Sequence, residues 1–192
     1  MIKNKDNLNS GNSTLSTDPN PEHDHIKGPS SAAVTLVEYG DYECPYTGQA
    51  YPIVKEIQKI LGDKLQFVFR NFPLIQIHPH AFNAALAAET ASSQGKFWQM
   101  HDYLFEHQRK LDDDSLKEYA KDLGMNTDNF NCEFSDRVYI SKVKDDLISG
   151  QNSNVGGTPT FFVNGILYDD SYDFDTLLSN LKNIINKDKT KI

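Results

Sequence analysis

A strand, a helix and a second strand follow one another within residues 33–70, and this succession restricts the fold more than any other feature. Residues 33–39 are apolar and β-branched, which predicts a buried strand. Apolar residues recur at helical spacing over residues 44–61, and residues 65–70 predict the next strand. Two strands joined through a helix lie parallel with a right-handed crossover. The sequence therefore predicts a βαβ unit.

The rest of the chain passes from helical to strand patterns. The spacing of apolar residues predicts four helices, at residues 81–93, 97–107, 112–123 and 136–149. Two short apolar runs, at residues 160–163 and 166–168, then flank Asn164-Gly165, a pair that is typical of tight β-hairpins. An amphipathic helix is predicted over residues 174–185.

The order βαβ, helices, ββα predicts an α/β protein with a mixed central sheet and an all-helical insertion at about residues 79–152. We expect one domain over residues 24–187, followed by a short C-terminal tail at residues 188–192. Residues 1–23 are predicted to be a disordered tail. Their polar composition buries too little apolar surface to offset the entropy of ordering the chain.

Charge and composition exclude several classes of function. The net charge of −8 argues against nucleic-acid binding, which requires a basic surface. Without a long apolar run or a signal-peptide core, we expect no membrane insertion and a cytoplasmic location. Cys44 and Cys132 provide no disulfide framework, which fits a reducing compartment. His23 and His25 flank Asp24, but without further ligands nearby they are predicted to be solvated surface residues.

Cys44 is the strongest candidate for a reactive group, because it stands where the first strand passes into the first helix. Unpaired backbone N–H groups and the helix dipole at that position favour the thiolate, which is the nucleophilic form of cysteine. Pro45 suits the first helical turn, where its missing N–H costs nothing. The alternative is a small buried hydrophobic side chain, a role that free cysteine often has.

Three segments resemble motifs of the DsbA-like thioredoxin-fold family. Residues 38–47, which include Cys44-Pro45-Tyr46-Thr47, are similar to its active-site segment. Residues 157–165 resemble its Thr-Pro loop and hairpin, and residues 95–102 resemble the signature of its helical insertion. The resemblance covers about residues 24–186 and includes the DsbA-like domains appended to some sodium/proton antiporters. It implies a thioredoxin fold and thiol–disulfide oxidoreductase activity.

The resemblance also implies roles for individual residues. Cys44 matches the nucleophile, and Pro159 matches the proline that follows a cis peptide bond. Glu38 matches a buried acid that assists proton movement, although a carboxylate facing solvent at the strand end is the open alternative. Four residues are expected to contact substrate: Pro45, Tyr46, Thr158 and Pro159.

Thr47 departs from the family pattern, which has a second cysteine three residues after the first. A pair of cysteines forms a mixed disulfide with the substrate and then resolves it internally. With Thr47 the internal step is impossible, so an outside thiol such as glutathione must release the product. The Thr47 hydroxyl is predicted to hydrogen-bond the Cys44 sulfur and to favour the thiolate. No metal and no resident cofactor are expected, and glutathione is the candidate co-substrate.

These observations predict a monothiol oxidoreductase that exchanges disulfides with protein or small-molecule thiols through Cys44. Two alternatives remain open. One is a redox-inactive peptide-binding or chaperone-like module that uses the groove beside Pro159. The other is a glutathione-dependent isomerase or transferase, a group that typically has serine where this chain has Cys44. The sequence does not decide the substrate or the oligomeric state.

Three further polar residues are given structural or surface roles. Cys132 lies beside apolar residues in the helical block and is predicted to be a buried structural side chain. His78 and His80 flank a proline that makes joint metal binding improbable, and one of them could approach the site as a base. They are predicted instead to cap a helix or to lie on the surface.

Overall fold

The computed structural model describes residues 13–189, with side chains described as far as Lys187, so residues 1–12 and 190–192 of the two predicted tails lie outside it. The described strands are β1 (His25–Lys27), β2 (Val34–Gly40), β3 (Leu65–Asn71), β4 (Thr160–Val163) and β5 (Ile166–Tyr168). The helices are α1 (Pro45–Leu61), α2 (Ala81–Ser92), α3 (Phe97–Glu106), α4 (Asp113–Asp122), α5 (Thr127–Ser135), α6 (Ile140–Asn152) and α7 (Phe174–Lys189).

A mixed five-stranded sheet in the order β1-β3-β2-β4-β5 forms the centre of the protein. β2 and β3 are parallel and are joined through α1, which confirms the predicted βαβ unit. The other three neighbouring pairs are antiparallel. The β4–β5 hairpin turns at Asn164 and Gly165, whose φ angles of 48° and 78° suit asparagine and glycine. Helices α2 to α6 form the predicted insertion, so the predicted fold class is confirmed.

The two faces of the sheet bury different sets of residues, because successive side chains of a strand point to opposite sides. One face contributes Leu36, Phe67 and Phe69 to a large core shared with α1, α7 and the helical insertion. The opposite face buries a smaller apolar cluster, formed by Val37, Tyr39, Val68, Phe72, Val155 and Phe162. Leu15 and Leu147 pack against that smaller cluster. Glu38 lies in β2 between these apolar residues and is buried with them.

Residues 13–18 are held against the domain by hydrogen bonds, so the prediction of a disordered tail is wrong for this part of the chain. The Leu15 N–H donates to the Gly165 carbonyl at 2.8 Å, and the Leu167 N–H donates to the Ser13 carbonyl at 2.9 Å. These bonds place the segment beside β5. Its order comes from contacts with distant residues, which local composition does not report.

Of the two histidines predicted to be solvated, His23 is exposed, whereas His25 and the Asp24 between them are largely buried. Asp24 accepts two hydrogen bonds from the Arg70 guanidinium, at 2.8 and 2.9 Å, and both side chains are almost fully buried. Burial raises the pKa of Asp24, but the bonds and charge of Arg70 outweigh it and hold the pKa below the usual value. The His25 ring stacks on Phe97, and its Nε2 lies 2.8 Å from a Glu89 oxygen.

One helix is missing from the sequence predictions, and the bounds of two others differ from them. Helix α5 was not predicted, and the helix predicted over residues 136–149 is α6, which begins at Ile140. Arg137 lies between them with a φ of 53°, a left-handed conformation that separates the two helices. Helix α7 continues to Lys189, beyond the predicted start of the C-terminal tail. Within residues 13–189, no helix combines the length and apolar character that crossing a bilayer requires.

Candidate active site

Cys44 is the N-cap residue of α1, with extended backbone angles of φ −71° and ψ 121°. Its carbonyl accepts from the Gly48 N–H at 3.0 Å, and Pro45 occupies the first turn of the helix. No acidic residue lies in that turn, so the positive end of the helix dipole faces the thiol without a competing charge from the helix itself. Cys44 is only 3% exposed. This position is the one predicted from the sequence.

The Cys44 thiol points at the loop that precedes β4. Its Sγ donates to the Thr158 carbonyl at a distance of 3.2 Å, across 114 positions of sequence. The peptide bond between Thr158 and Pro159 is cis. The Thr158 hydroxyl is buried and makes no hydrogen bond with the described residues. The structure therefore brings Cys44, Thr158 and Pro159 together, as the resemblance implied.

Thr47 does not make its predicted contact. The side chain is fully buried, and its Oγ1 accepts a long hydrogen bond of 3.5 Å from the Asp41 N–H. No hydrogen bond joins the hydroxyl to the Cys44 sulfur in the described part of the chain. The prediction of an O–H···S contact is therefore wrong, because the side chain faces the strand–helix turn instead of the thiol.

Glu38 is a buried carboxyl, so the alternative of a carboxylate facing solvent at the strand end is wrong. It is 3% exposed, and burial raises its pKa from 4.5 to about 8. It lines a small cavity of about 10 Å³ together with Lys27 and His101. Burial also lowers the pKa of both of these bases. Around neutral pH the carboxyl and the imidazole are therefore uncharged.

Two exposed residues follow Cys44 at the start of α1, and a tyrosine from another loop lies in its electrostatic range. Pro45 and Tyr46 are exposed, and Tyr46 has 62% of its surface open to solvent. Tyr172, from the loop before α7, is a neighbour that sequence reasoning missed. Burial raises the pKa of Tyr172, and the negative charges that Cys44 and Glu38 can carry raise it further. This effect places Tyr172 close enough to sense both groups.

Two histidine–carboxylate pairs fasten the turn before Cys44 to the loop before α2. Asp41, which is fully buried, accepts from the Leu74 N–H at 2.9 Å and lies 2.7 Å from Nδ1 of His78. Glu43 accepts from the N–H of His80 at 2.6 Å and lies 2.8 Å from its Nδ1. His78 and His80 therefore hold the turn in place through acidic partners that the sequence did not reveal.

Gln108 is a further residue that the sequence analysis did not identify. Its amide nitrogen donates to the Tyr42 carbonyl at 2.8 Å and to the Cys44 carbonyl at 3.0 Å. A Cβ placed at Gly48 would lie 2.0 Å from the Gln108 Oε1, so only glycine fits beside it without displacing the side chain. The lack of a side chain at Gly48, inside a helix, is the one local signal of this close approach.

Cys132 is exposed on α5, so the prediction of a buried structural cysteine is wrong. Its Sγ lies 3.6 Å from an Asp136 oxygen, and the charge of that carboxylate raises the pKa of the thiol. A raised pKa leaves less thiolate at neutral pH, which disfavours nucleophilic reactions. The structure places Cys132 in the helical insertion, away from the contacts of Cys44.

A cysteine at a helix start beside a cis-proline loop, on a βαβ…ββα sheet, defines a thioredoxin-fold thiol protein. The fold alone does not establish the activity, since one fold supports many functions. A family model described as Thioredoxin matches residues 20–183. The chain therefore belongs to the thioredoxin family.

Curated relatives share much of this sequence but are far longer. The chain is 45% identical over 157 residues to a protein of Salinispora arenicola named Na(+)/H(+) antiporter NhaA 1, covering 82% of this chain and 24% of that protein. It is 40% identical over 173 residues to an antiporter of the same name from Mycobacterium sp., covering 88% of this chain and 28% of that protein. The chain thus spans about a quarter of the length of the curated relatives it matches.

Solved structures match over nearly the whole chain. Oxidised BdbD from Bacillus subtilis superposes with a TM-score of 0.78 at 26% identity, covering 91% of this chain and 100% of that one. Wolbachia pipientis α-DsbA1 gives a TM-score of 0.78 at 18% identity, covering 90% and 96%. The second likeness concerns the fold alone. Together they confirm the DsbA-like thioredoxin fold with its helical insertion.

Proposed function

We propose that this protein is a thiol–disulfide oxidoreductase that acts through one nucleophilic cysteine, Cys44. The observation that carries the proposal is the position of the Cys44 sulfur, at the start of α1 and 3.2 Å from the Thr158 carbonyl. A disulfide that approaches the sulfur meets both the helix N-terminus and the backbone beside Pro159. The helix N-terminus stabilises negative charge on sulfur, and the backbone can pair with an extended substrate.

The proposed reaction is a single exchange at sulfur. The Cys44 thiolate attacks one sulfur of a disulfide, its S–S bond breaks, and the other half leaves as a thiolate that takes up a proton. Cys44 is oxidised to a mixed disulfide, and one thiol of the substrate is the reduced product. A second thiol then attacks the mixed disulfide, forms a new disulfide and returns Cys44 to its reduced form.

Because Thr47 replaces the second cysteine, the protein cannot release the substrate from the mixed disulfide by itself. The residue at this position is fully buried and bonded to the Asp41 backbone, and a hydroxyl cannot displace a thiol from a disulfide. The release step therefore depends on an external thiol, of a protein or of a small molecule such as glutathione. A reducing, cytoplasmic setting would supply that thiol.

Glu38 is proposed to assist the proton transfers that accompany this exchange at sulfur. A carboxyl with a pKa of about 8 can take up and give back a proton near neutral pH, as efficient acid–base catalysis requires. Cys44 and Glu38 both act on Tyr172, so they belong to one electrostatic neighbourhood. Exposed Pro45 and Tyr46, with Thr158 and Pro159, form the surface on which the substrate would lie.

Mass analysis after treatment with oxidised glutathione tests the proposal. One glutathione adduct should form on Cys44, and reduced glutathione should remove it. The Cys44→Ser variant should take up none, and the matched Cys132→Ser variant should behave as the wild type. An unmodified Cys44 would support the binding-module alternative. Glutathione that binds without a covalent adduct would support the isomerase or transferase.

A second candidate role comes from the antiporter relatives, in which 39–45% identity covers a segment about as long as this domain. Domains fused in one protein often act on one another, so this chain is a candidate partner of a Na⁺/H⁺ antiporter. Transport by such an antiporter in vesicles, with and without this protein, tests the role. A change that Cys44→Ser abolishes would support it, and unchanged transport would contradict it.

A further inference from the structure

Residues 107–110, here called the basic turn, follow α3 and are held rigidly. The His107 ring stacks on Tyr103 with ring centres 4.3 Å apart, and its Nδ1 lies 2.8 Å from the Tyr103 carbonyl oxygen. The Tyr119 hydroxyl donates to the Lys110 carbonyl at 2.6 Å. These contacts from α3 and α4 fix the turn before any ligand arrives, which reduces the entropy that binding would cost.

Gln108 joins the basic turn directly to the nucleophile. Its side-chain nitrogen binds the carbonyls of Tyr42 and Cys44, and its oxygen faces the bare Cα of Gly48. The basic turn therefore lies one glutamine side chain away from the backbone of Cys44. Thr158 stands on another side of the same cysteine, as the partner of its thiol.

Arg109 and Lys110 are exposed cations without partners. Neither side chain makes an ion pair or a hydrogen bond with another residue in the described range 13–189. They line a surface depression of about 380 Å³ formed by residues 105–110. Two cations that are unpartnered within this range therefore lie next to Gln108, the residue that binds the backbone carbonyl of Cys44.

The acidic groups near this site are largely engaged elsewhere. Asp41 and Glu43 are held by the two histidines described above. Glu106, at the rim of the depression, lies 3.7 Å from the ammonium of Lys55. Asp112, two residues after Lys110, is engaged as the N-cap of α4 and accepts from the Ser115 N–H at 3.0 Å, and Asp113 accepts from the Asn83 amide at 2.7 Å. Because these carboxylates have partners and Arg109 and Lys110 have none in the described range, an incoming anion meets available positive charge in the depression.

We propose that the basic turn binds the carboxylates of a small acidic thiol while the sulfur of that thiol is bonded to Cys44. A tripeptide thiol such as glutathione places its carboxylates within about two residues of extended chain from its sulfur, ~7 Å. The basic turn is joined through Gln108 to the backbone of the same cysteine, so among the described residues it is the nearest set of unpartnered cations that the contacts of Cys44 lead to. Arg109 and Lys110 would bind these carboxylates. This inference rests on the proposed exchange at Cys44. It specifies that the small-molecule partner of that exchange is an acidic thiol.

Rates of mixed-disulfide formation test the inference with two disulfides, one that carries carboxylates and one that is neutral. The double variant Arg109→Glu/Lys110→Glu should react about tenfold more slowly than the wild type with oxidised glutathione, because two attractions become repulsions. With hydroxyethyl disulfide, which is neutral, its rate should stay within about twofold of the wild type. Lys59→Glu/Lys64→Glu, with Lys59 in the last turn of α1 and Lys64 three residues after that helix ends, is the matched charge control.

Three outcomes would overturn the inference: equal slowing with both disulfides, no slowing with either, or the same slowing in the matched control. A binding measurement separates it from the proposed function. S-methylglutathione cannot exchange, so NMR shifts at residues 107–110 on its addition report the site even if Cys44 reacts with no disulfide. Failure of Cys44 to react would refute the proposed function. Absence of those shifts would refute the basic turn as a binding site.

Discussion

Replacing Glu38 with glutamine should make the protein more stable at alkaline pH, because it removes a carboxyl that must ionise inside the core. The folded protein holds the pKa of Glu38 at about 8, and its ordinary value is 4.5. The difference is roughly 3.5 pH units, and each unit corresponds to about 1.4 kcal/mol of folding free energy. The full effect is therefore ~5 kcal/mol, as an order of magnitude.

The sign follows from which state binds the proton more tightly. Below pH 4.5 Glu38 is protonated in both the folded and the unfolded chain, so its contribution to stability is fully present. As the pH rises toward 8, the unfolded chain ionises first and stability is lost. The loss should reach ~3 kcal/mol at neutral pH and level off above the folded pKa.

Urea unfolding of wild type and Glu38→Gln at about pH 5 and about pH 8.5 measures this effect. Glutamine resembles the protonated acid, so the two proteins should have similar free energies of unfolding at the lower pH. At the higher pH the variant should be more stable by several kcal/mol. Asp146, whose pKa burial raises to about 6, titrates in both proteins and cancels in the comparison. A stability difference that does not change with pH would refute the reasoning.

Three other substitutions give separate tests. Thr47→Cys should turn the site into a dithiol that closes internally, so mass analysis should find glutathione retained on the wild type and lost from the variant. Gly48→Ala should displace Gln108 from its two carbonyl partners and lower the free energy of unfolding by about 1 kcal/mol, measured in urea, because the lost hydrogen bonds outweigh the gain in helix propensity. Asp24→Asn should cost about 3–5 kcal/mol in the same assay, because it leaves the buried Arg70 charge unpaired.

The first of these tests has a contradicting outcome, and the other two each have a control variant within the chain. A disulfide between Cys44 and Cys132 in the oxidised wild type would contradict the single-cysteine mechanism. Gly156→Ala, where an added Cβ meets no atom within 4 Å, should leave stability within about 0.5 kcal/mol. Glu56→Gln, in an exposed pair with Lys59, should have a similarly small effect. An equal loss in a variant and its control would contradict the stated cause.

The parts of the fold that the sequence predicted are those with strong local patterns. β2, α1 and β3 have continuous apolar or helical spacing, and the β4–β5 turn has a residue pair made for its geometry. β1 is only three residues long and contains one apolar side chain, so it carries no periodic signal. Helix α5 is short and polar, and its clearest signal is the Asn126 cap that accepts from the Asn129 N–H.

The residues of the candidate site likewise fall into two groups, those that local motifs predicted and those that only the folded structure brings together. Cys44 and Pro159 stand in recognisable motifs, and the resemblance was enough to pair them across the chain. His78 meets Asp41 from 37 positions away, and Gln108 meets Cys44 from 64 positions away. Such pairs depend on how the helices of the insertion pack, and no local spacing encodes them. Thr47 stands where the family pattern has its second cysteine, but its predicted bond to the Cys44 sulfur is wrong, because its buried hydroxyl accepts from the Asp41 N–H instead.

The segment before β1 has a consequence for self-association. β5 is the outer strand of the sheet, it contains the half-exposed Ile166, and its backbone is paired on that side by residues 13–15. An uncovered outer strand is a template for pairing with a second molecule, and many proteins cap it to avoid aggregation. The N-terminal segment performs this capping here. A shortened chain that begins near residue 24 would present an open strand edge, and should form oligomers or aggregates at concentrations where the longer chain stays dispersed.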